Sequence, residues 1–450
     1  PPIKNITKKL LFTRLFVIKG YKIKITINNI FLLNNSSDKT FTRTVKSWIA
    51  YDAGNSAFAT TVIAAFFPIF YIEFWASSLS KIEATMYLNW ALVICNFSIL
   101  ISAPLIGAII DINESTKKSL SIFTIISILF VGLLYLLPLG SWFLALIFFG
   151  IANYCFSIAL IPYDKILTKI SVSKKFSVIS NYGYAWGYAG GGLLFLVNAL
   201  MSIYPSSFGL ASQSEAIRVS FLTVSIWWLI FSIPLFLNYQ EATSSKNNYP
   251  GLSTTFKKIL STLRSLSDYR NAYLFLIAFF FFIDGAHTVI YLASTFALNI
   301  GLETSSIIQA LILVQFVAFP ATLIWGYIAD RFGDRLVLYI TIASYICIIL
   351  YSTSLTNAIE FYILAAWVGS VQGGIQGSSR SYFAKLIPNE KAGEFFGLYN
   401  VVGKVGAILG PLLVGTFLAI FGDIRIALLP IAILFVIGGL LLTRVKSEIT

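Results

Sequence analysis

Charge is scarce in this chain: 11% of its 450 residues are Asp, Glu, Lys or Arg, against roughly a quarter in an ordinary soluble domain. Such a composition cannot coat a water-facing surface, so a single soluble core is excluded. Histidine occurs once, as His287, and cysteine three times, as Cys95, Cys155 and Cys347. The cysteines fall in apolar runs, at spacings that suit neither a disulfide framework nor a metal site. One histidine cannot build the His-rich clusters of many membrane metalloenzymes. No metal and no cofactor is expected, and no clustered nucleophile or acid–base set points to an enzyme.

What the chain has instead is apolar text, 57% of all residues with a mean hydropathy of +0.82. Runs near the ~20 residues that cross a bilayer recur along it, and in lipid only helices or closed barrels satisfy the backbone. Spans are expected at 48–72, 86–110, 119–139, 141–163, 179–200 and 217–238, then 271–298, 305–328, 336–354, 359–379, 394–420 and 424–443. The expected class is an all-α polytopic membrane protein of about twelve transmembrane helices in two six-helix bundles. Residues 43–238 form the first bundle, 239–270 a polar cytoplasmic linker that has room for a short amphipathic helix, and 271–450 the second bundle.

The net charge of +13 is concentrated at the start, where residues 1–47 hold ten Lys/Arg against Asp38 alone. Residues 1–42 read either as a targeting segment or as sequence upstream of the natural start, and are set aside from the fold. Beyond them, one set of alternate loops carries eighteen Lys/Arg and the other only Lys81, Arg218 and Arg425. The positive-inside rule then places both termini and the linker in the cytoplasm. Topology explains the basic loops, so no nucleic-acid partner is expected. The expected partners are the lipid bilayer, a small-molecule substrate and protons, with the chain working as a monomer.

The two halves echo each other. Span one contains Asp52-Ala-Gly-Asn55-Ser56 and span seven Asp284-Gly-Ala-His287-Thr288, each with an acid at i and polar residues at i+3 and i+4. Span two ends Gly107-Ala-Ile-Ile-Asp111 and span eight Gly326-Tyr-Ile-Ala-Asp330, while Gly187/Gly190 match Gly403/Gly406. Three matches in the same order indicate internal repeats, which in transporters put a substrate path at the repeat interface.

The segment from Gly326 through Asp330, Arg331, Gly333 and Arg335 resembles the signature loop of the major facilitator superfamily. A glycine there lets helices approach, an acid can meet a neighbouring helix N-terminus, and arginines can hold a breakable latch. The first copy keeps Gly107 and Asp111 but has Ile112-Asn113-Glu114 where the arginines would follow. Longer matches lie in Ser47 through Ala57-Phe58, in Gln372 through Ser378-Ser379-Arg380-Ser381 to Pro388, and in Glu394 through Gly397, Tyr399 and Asn400. These resemble the autophagy-related vacuole-effluxer family of that superfamily, over about residues 45–445. The resemblance implies the major facilitator fold and transport. Eukaryotic members of that family are implicated in amino-acid export from the vacuole, and most bacterial members have no assigned substrate. The compact loops favour a bacterial cell membrane, with a vacuolar or other organellar membrane as the alternative.

Ionisable residues inside spans are functional candidates because their burial costs several kcal/mol. Asp52 and Asn55 are expected at a gate or substrate site, the alternative for Asp52 being an interfacial partner for a loop lysine or for Arg380. Asp284 and His287, one turn apart, could exchange a proton. Lys404 either holds a substrate carboxylate or pairs with Asp284, Asp52 or Glu394. A phosphate loop is rejected around it, because Val405 stands where Ser/Thr would bind magnesium. Asp111, Gly326, Asp330, Arg331, Arg335 and Arg380 form the expected latch, and the glycines at 190–192, 403, 406 and 410 are read as close-packing positions. The expectation is a secondary transporter of a small polar solute, of which amino acids are one class, working by alternating access with proton coupling. A non-transporting receptor or scaffold is the alternative, ahead of a membrane-embedded enzyme.

Overall fold

The computed structural model describes residues 13–18, 21–26, 41–171, 175–241, 269–405 and 409–446. In the leader, Thr13–Ile18 and Tyr21–Thr26 pair as an antiparallel hairpin. The linker residues 242–268, where an amphipathic helix was expected, lie outside the described residues.

Helices follow the apolar runs closely and overshoot them at the ends. The first half contributes α1 (Arg43–Trp75), α2 (Lys81–Ile112), α3 (Thr116–Leu133), α4 (Trp142–Ile170), α5 (Phe176–Ile203) and α6 (Gln213–Asn238). The second contributes α7 (Arg270–Asn299), α8 (Thr304–Phe332), α9 (Asp334–Ser352), α10 (Ala358–Leu386), α11 (Ala392–Val405), α12 (Leu409–Phe421) and α13 (Ile424–Thr443). Among the described residues, eleven helices are long and apolar enough to cross a membrane, and the expected span 394–420 is divided between α11 and α12.

Local chemistry sets the starts of these helices. The Thr42 hydroxyl accepts from the Val45 amide at the head of α1. Ser80 and Glu83 form a reciprocal capping box at the head of α2, which satisfies N–H groups that have no partner inside the helix. The Glu83 carboxyl sits below the usual range because the Ser80 hydroxyl and amide donate to its charged form. At the joint of α8 and α9, Gly333 takes φ 90°, and at the matching joint of α2 and α3 Glu114 takes φ 47°.

Lipid-facing and protein-facing sides separate as a bilayer requires. Ile94, Phe97 and Ile101 expose an apolar stripe on α2 at helical spacing. Trp48, Trp75, Trp228 and Tyr163 are fully enclosed between helices. Across the molecule, α2 packs against α11 and α5 against α8, which exchanges helix two of one half with helix five of the other. Glycines make these crossings close: a Cβ on Gly107 would collide with the Gly393 carbonyl, one on Gly397 with the Ala103 carbonyl, and one on Gly326 with the Asn181 side chain. Gly190, Gly191 and Gly192 likewise lie against Ala53, Ser56 and Gln315. Gly403 has only ordinary contact with Phe279, Gly410 lies on Thr288, and Gly406 is outside the described residues.

Candidate functional site

A cavity of about 470 Å³ opens between the halves. Its walls come from α1, α4, α5, α7–α11 and α13 and are largely apolar, while polar side chains gather at its floor. There Arg380 of α10, 3% exposed, reaches across to the first half. Its Nε donates to the Ser180 hydroxyl at 3.0 Å and its Nη2 to the Ser180 carbonyl at 2.8 Å. Its Nη1 lies 3.4 Å from Asp164 Oδ1, and its Nη2 3.7 Å from Asp52 Oδ2. The guanidinium is stacked among Tyr184, Trp48 and Tyr163, at 4.2, 4.8 and 5.6 Å from the ring centres. Asn400 of α11 donates to the other Asp164 oxygen at 3.2 Å. Arginine suits this place because one planar fork can meet two carboxylates and a carbonyl while its faces lie on aromatic rings.

Helix α1 brings Asp52, Asn55 and Ser56 to the cavity on one face, as their spacing requires. The rigid wall behind them is Trp48 stacked on Tyr163 at 4.5 Å and bonded to its carbonyl at 2.9 Å. Gly183 of α5 makes the approach possible, since a Cβ there would stand 2.8 Å from Asp52 Oδ2 and 2.9 Å from Arg380 Nη2.

Beyond the floor, towards the end bearing the α2–α3 and α8–α9 joints (the basic end), polar ties join the halves. Asp111 accepts from the Gly393 and Glu394 amides at 3.0 and 2.8 Å, seated at the N-terminus of α11, and pairs with Lys165 at 2.6 Å. On the pseudo-symmetric side, Asp330 pairs with Lys175 at 2.8 Å, just before α5. Asp334 accepts from Lys385 at 2.7 Å, from Ser381 at 3.0 Å and from Ser177 of α5 at 3.1 Å. Both joints therefore use an acid at a facing helix start, where the helix dipole and free N–H groups favour negative charge.

The residues singled out from sequence separate into distinct places. Asp52, Asn55, His287 and Arg380 line the cavity. Asp284 is fully buried and is not among the lining residues; it lies on the Gly410 backbone. Positions i and i+4 share a face, so Asp284 goes with Thr288 towards α12, and His287 alone turns to the cavity. The Lys404 side chain is outside the described residues. Of the latch residues, Asp111, Gly326, Asp330 and Arg380 meet the opposite half. Arg331 bonds to Tyr327 on its own helix, and Arg335 bonds to Tyr339 and the Thr443 carbonyl within the second half.

Sequence reasoning passed over Asp164, because the apolar run of its span ends at Tyr163 while α4 continues two turns further. It also counted Lys165, Lys175 and Lys385 only as topological charges, although each closes an ion pair. Gln315, Gln372 and Gln376 in the cavity wall were not weighed as site residues. Three glutamines within apolar spans are the signal that could have found them.

Solved transporters share the fold. FucP in its outward conformation aligns with a TM-score of 0.66 at 15% identity, covering 90% of this chain and 100% of that one. The proton:xylose symporter XylE aligns at 0.67 and 12% identity, covering 90% and 95%. The fold is that of a major facilitator superfamily transporter, a multi-pass membrane protein that is helical beyond its leader hairpin. The family described as "Vacuole effluxer Atg22 like" matches residues 165–449. The uncharacterized MFS-type transporter YxiO of Bacillus subtilis is 34% identical over 412 residues, 91% of this chain and 96% of that protein. This chain belongs to the Atg22-like vacuole-effluxer family. Autophagy-related protein 22 of Vanderwaltozyma polyspora is 29% identical over 280 residues, and the match spans 53% of that longer protein.

Proposed function

We propose that the chain is a secondary active transporter that carries a small polar solute of the amino-acid class by alternating access, with a proton as the coupling ion. The observation that carries this reading is the cavity between the halves, floored by Asp52, Asp164 and Arg380 and tied shut beyond them. A site shared by two repeats that rock about it is what alternating access needs. A floor with a guanidinium and two carboxylates has groups for both ends of a zwitterion. Two acids around one arginine leave a carboxylate free to take a proton when the pair parts, and His287 lies in the same cavity. With the loop charges counted as above, the basic end is cytoplasmic and the cavity faces outward. The proposed location is a bacterial cell membrane, with the two bundles at 43–238 and 271–450 moving as the rocking units.

The test is counterflow in liposomes. Protein reconstituted with an unlabelled mixture of amino acids inside should accumulate labelled counterparts from outside, and an imposed pH gradient should alter net flux. Ligand-dependent stabilisation of the purified protein with no flux of any solute would favour a receptor and sink the transporter reading.

A further inference from the structure

Helices α5 and α10 face each other across the halves as a short ladder. On α5 the side chains at 180, 184 and 188 share a face at intervals of about one turn, and Gln376 and Arg380 of α10 do the same. At the lowest rung the Ser180 hydroxyl donates to the Gly377 carbonyl at 2.8 Å, while Arg380 donates to Ser180. One turn further from the basic end, the Tyr184 ring lies on the Arg380 guanidinium at 4.2 Å. One more turn out, the Tyr188 hydroxyl donates to Gln376 Oε1 at 2.8 Å, with Gln372 beside it. There the ladder ends, because α5 continues that face with Gly191 and Gly192. Burial changes at the same level: Asp52, Asp164 and Arg380 are 6%, 4% and 3% exposed, whereas Tyr188, Gln372 and Gln376 are partly open to the cavity. A solute in the cavity therefore meets the Tyr188–Gln376 bond before it meets the ions.

We infer that this bond is the solute's trigger: the solute replaces it, setting an acceptor on the Tyr188 hydroxyl and a donor on the Gln376 oxygen, and so releases the top of the ladder that ties the halves together. This rests on the transporter reading and deepens it. Tyr188 and Gln376 already touch each other, so the two ends of one small polar group can reach both, as a carboxylate and its neighbouring ammonium do in an amino acid. One hydrogen bond is exchanged for two, with Arg380 still paired beneath. A solute with only a donor or only an acceptor would leave one of the two partners unpaired in a half-buried place.

The test reads the basic end through the distance between spin labels at Lys169→Cys, near the end of α4, and Asn389→Cys, just after α10, in full-length cysteine-free protein in liposomes. The amino-acid mixture of the counterflow assay should raise the long-distance population when no other residue is changed. Tyr188→Phe should raise it about fivefold with no solute present, the effect of one lost hydrogen bond, and the mixture should then add little. Gln376→Leu should act in the same direction, and the double variant should go no further than Tyr188→Phe, since both remove one bond. Propylamine and butyrate, each with one of the two polar groups, should fail where the mixture succeeds. Unchanged populations in a folded Tyr188→Phe protein overturn the inference, as do additive effects of the two substitutions, or propylamine or butyrate alone matching the mixture. Variants that shift the populations while the mixture shifts nothing make the bond a structural tie and overturn the inference too; counterflow then decides separately whether the protein transports.

Discussion

Lys165 holds Asp111 at 2.6 Å, with both side chains at least 96% removed from solvent. Breaking a buried pair by deleting one partner typically costs 3–5 kcal/mol. Here two α11 amides still hold the carboxylate, so Lys165→Met should cost about 3 kcal/mol, read from unfolding of the purified protein. Adding Asp111→Leu should recover part of that loss, because no charge is then left alone. Strictly additive losses would show that the two residues do not act as a pair.

Asp330 repeats the position of Asp111, but its ion pair with Lys175 is 20% and 39% exposed. Solvated pairs contribute about 0–1 kcal/mol. Asp330→Asn should therefore lower transport per molecule only modestly, whereas Asp111→Asn should lower it at least tenfold with insertion preserved. Equal losses in the two variants would mean that burial is not what separates them.

Gly107→Ala places a methyl group into the Gly393 backbone, which no side-chain rotation can relieve. The variant should insert normally and fail to close at the basic end, so that it no longer transports. Gly150→Ala is the control, since nothing lies within 4 Å of a Cβ there. Flux near wild type in Gly107→Ala would show that α2 and α11 need not come this close.

The facing of the cavity can be read by labelling single cysteines in a cysteine-free background with a membrane-impermeant reagent on whole cells. Ser207→Cys, in the loop after α5, and Gln372→Cys, in the cavity wall, should react from outside. Asn113→Cys, at the basic end, should react only after the membrane is opened. Labelling of Asn113→Cys in intact cells would invert the proposed topology.

Much of this architecture was legible because lipid makes hydropathy nearly decisive: an apolar run of span length has few structures open to it. The close crossings at Gly107 and Gly326 were also legible, since a repeated small residue beside an acid has a steric meaning. Charge was harder. Lys165 in a list of loop lysines looks like Lys169, yet it is 3% exposed and Lys169 is not buried. The difference is α11 arriving from 230 residues away, which no local pattern announces. Depth misled as well: Asp284 and His287 both lie well inside α7, but a rotation of about 60° around the helix axis sends only one to the cavity.

The joints at Glu114 and Gly333 carry a consequence for how this molecule can change. They stand at equivalent places, 219 residues apart, and both adopt positive φ although only one is glycine. A left-handed backbone costs a non-glycine residue roughly 1–2 kcal/mol, so the first turn is bent by the helices anchored on either side of it and not by its own residue. Its shape is thus uncoupled from its wording. Transplanting Arg331-Phe332-Gly333 in place of Ile112-Asn113-Glu114 should leave the α2–α3 bend as it is, removing a conformational penalty while giving the first half the arginine and the glycine that only the second half has there.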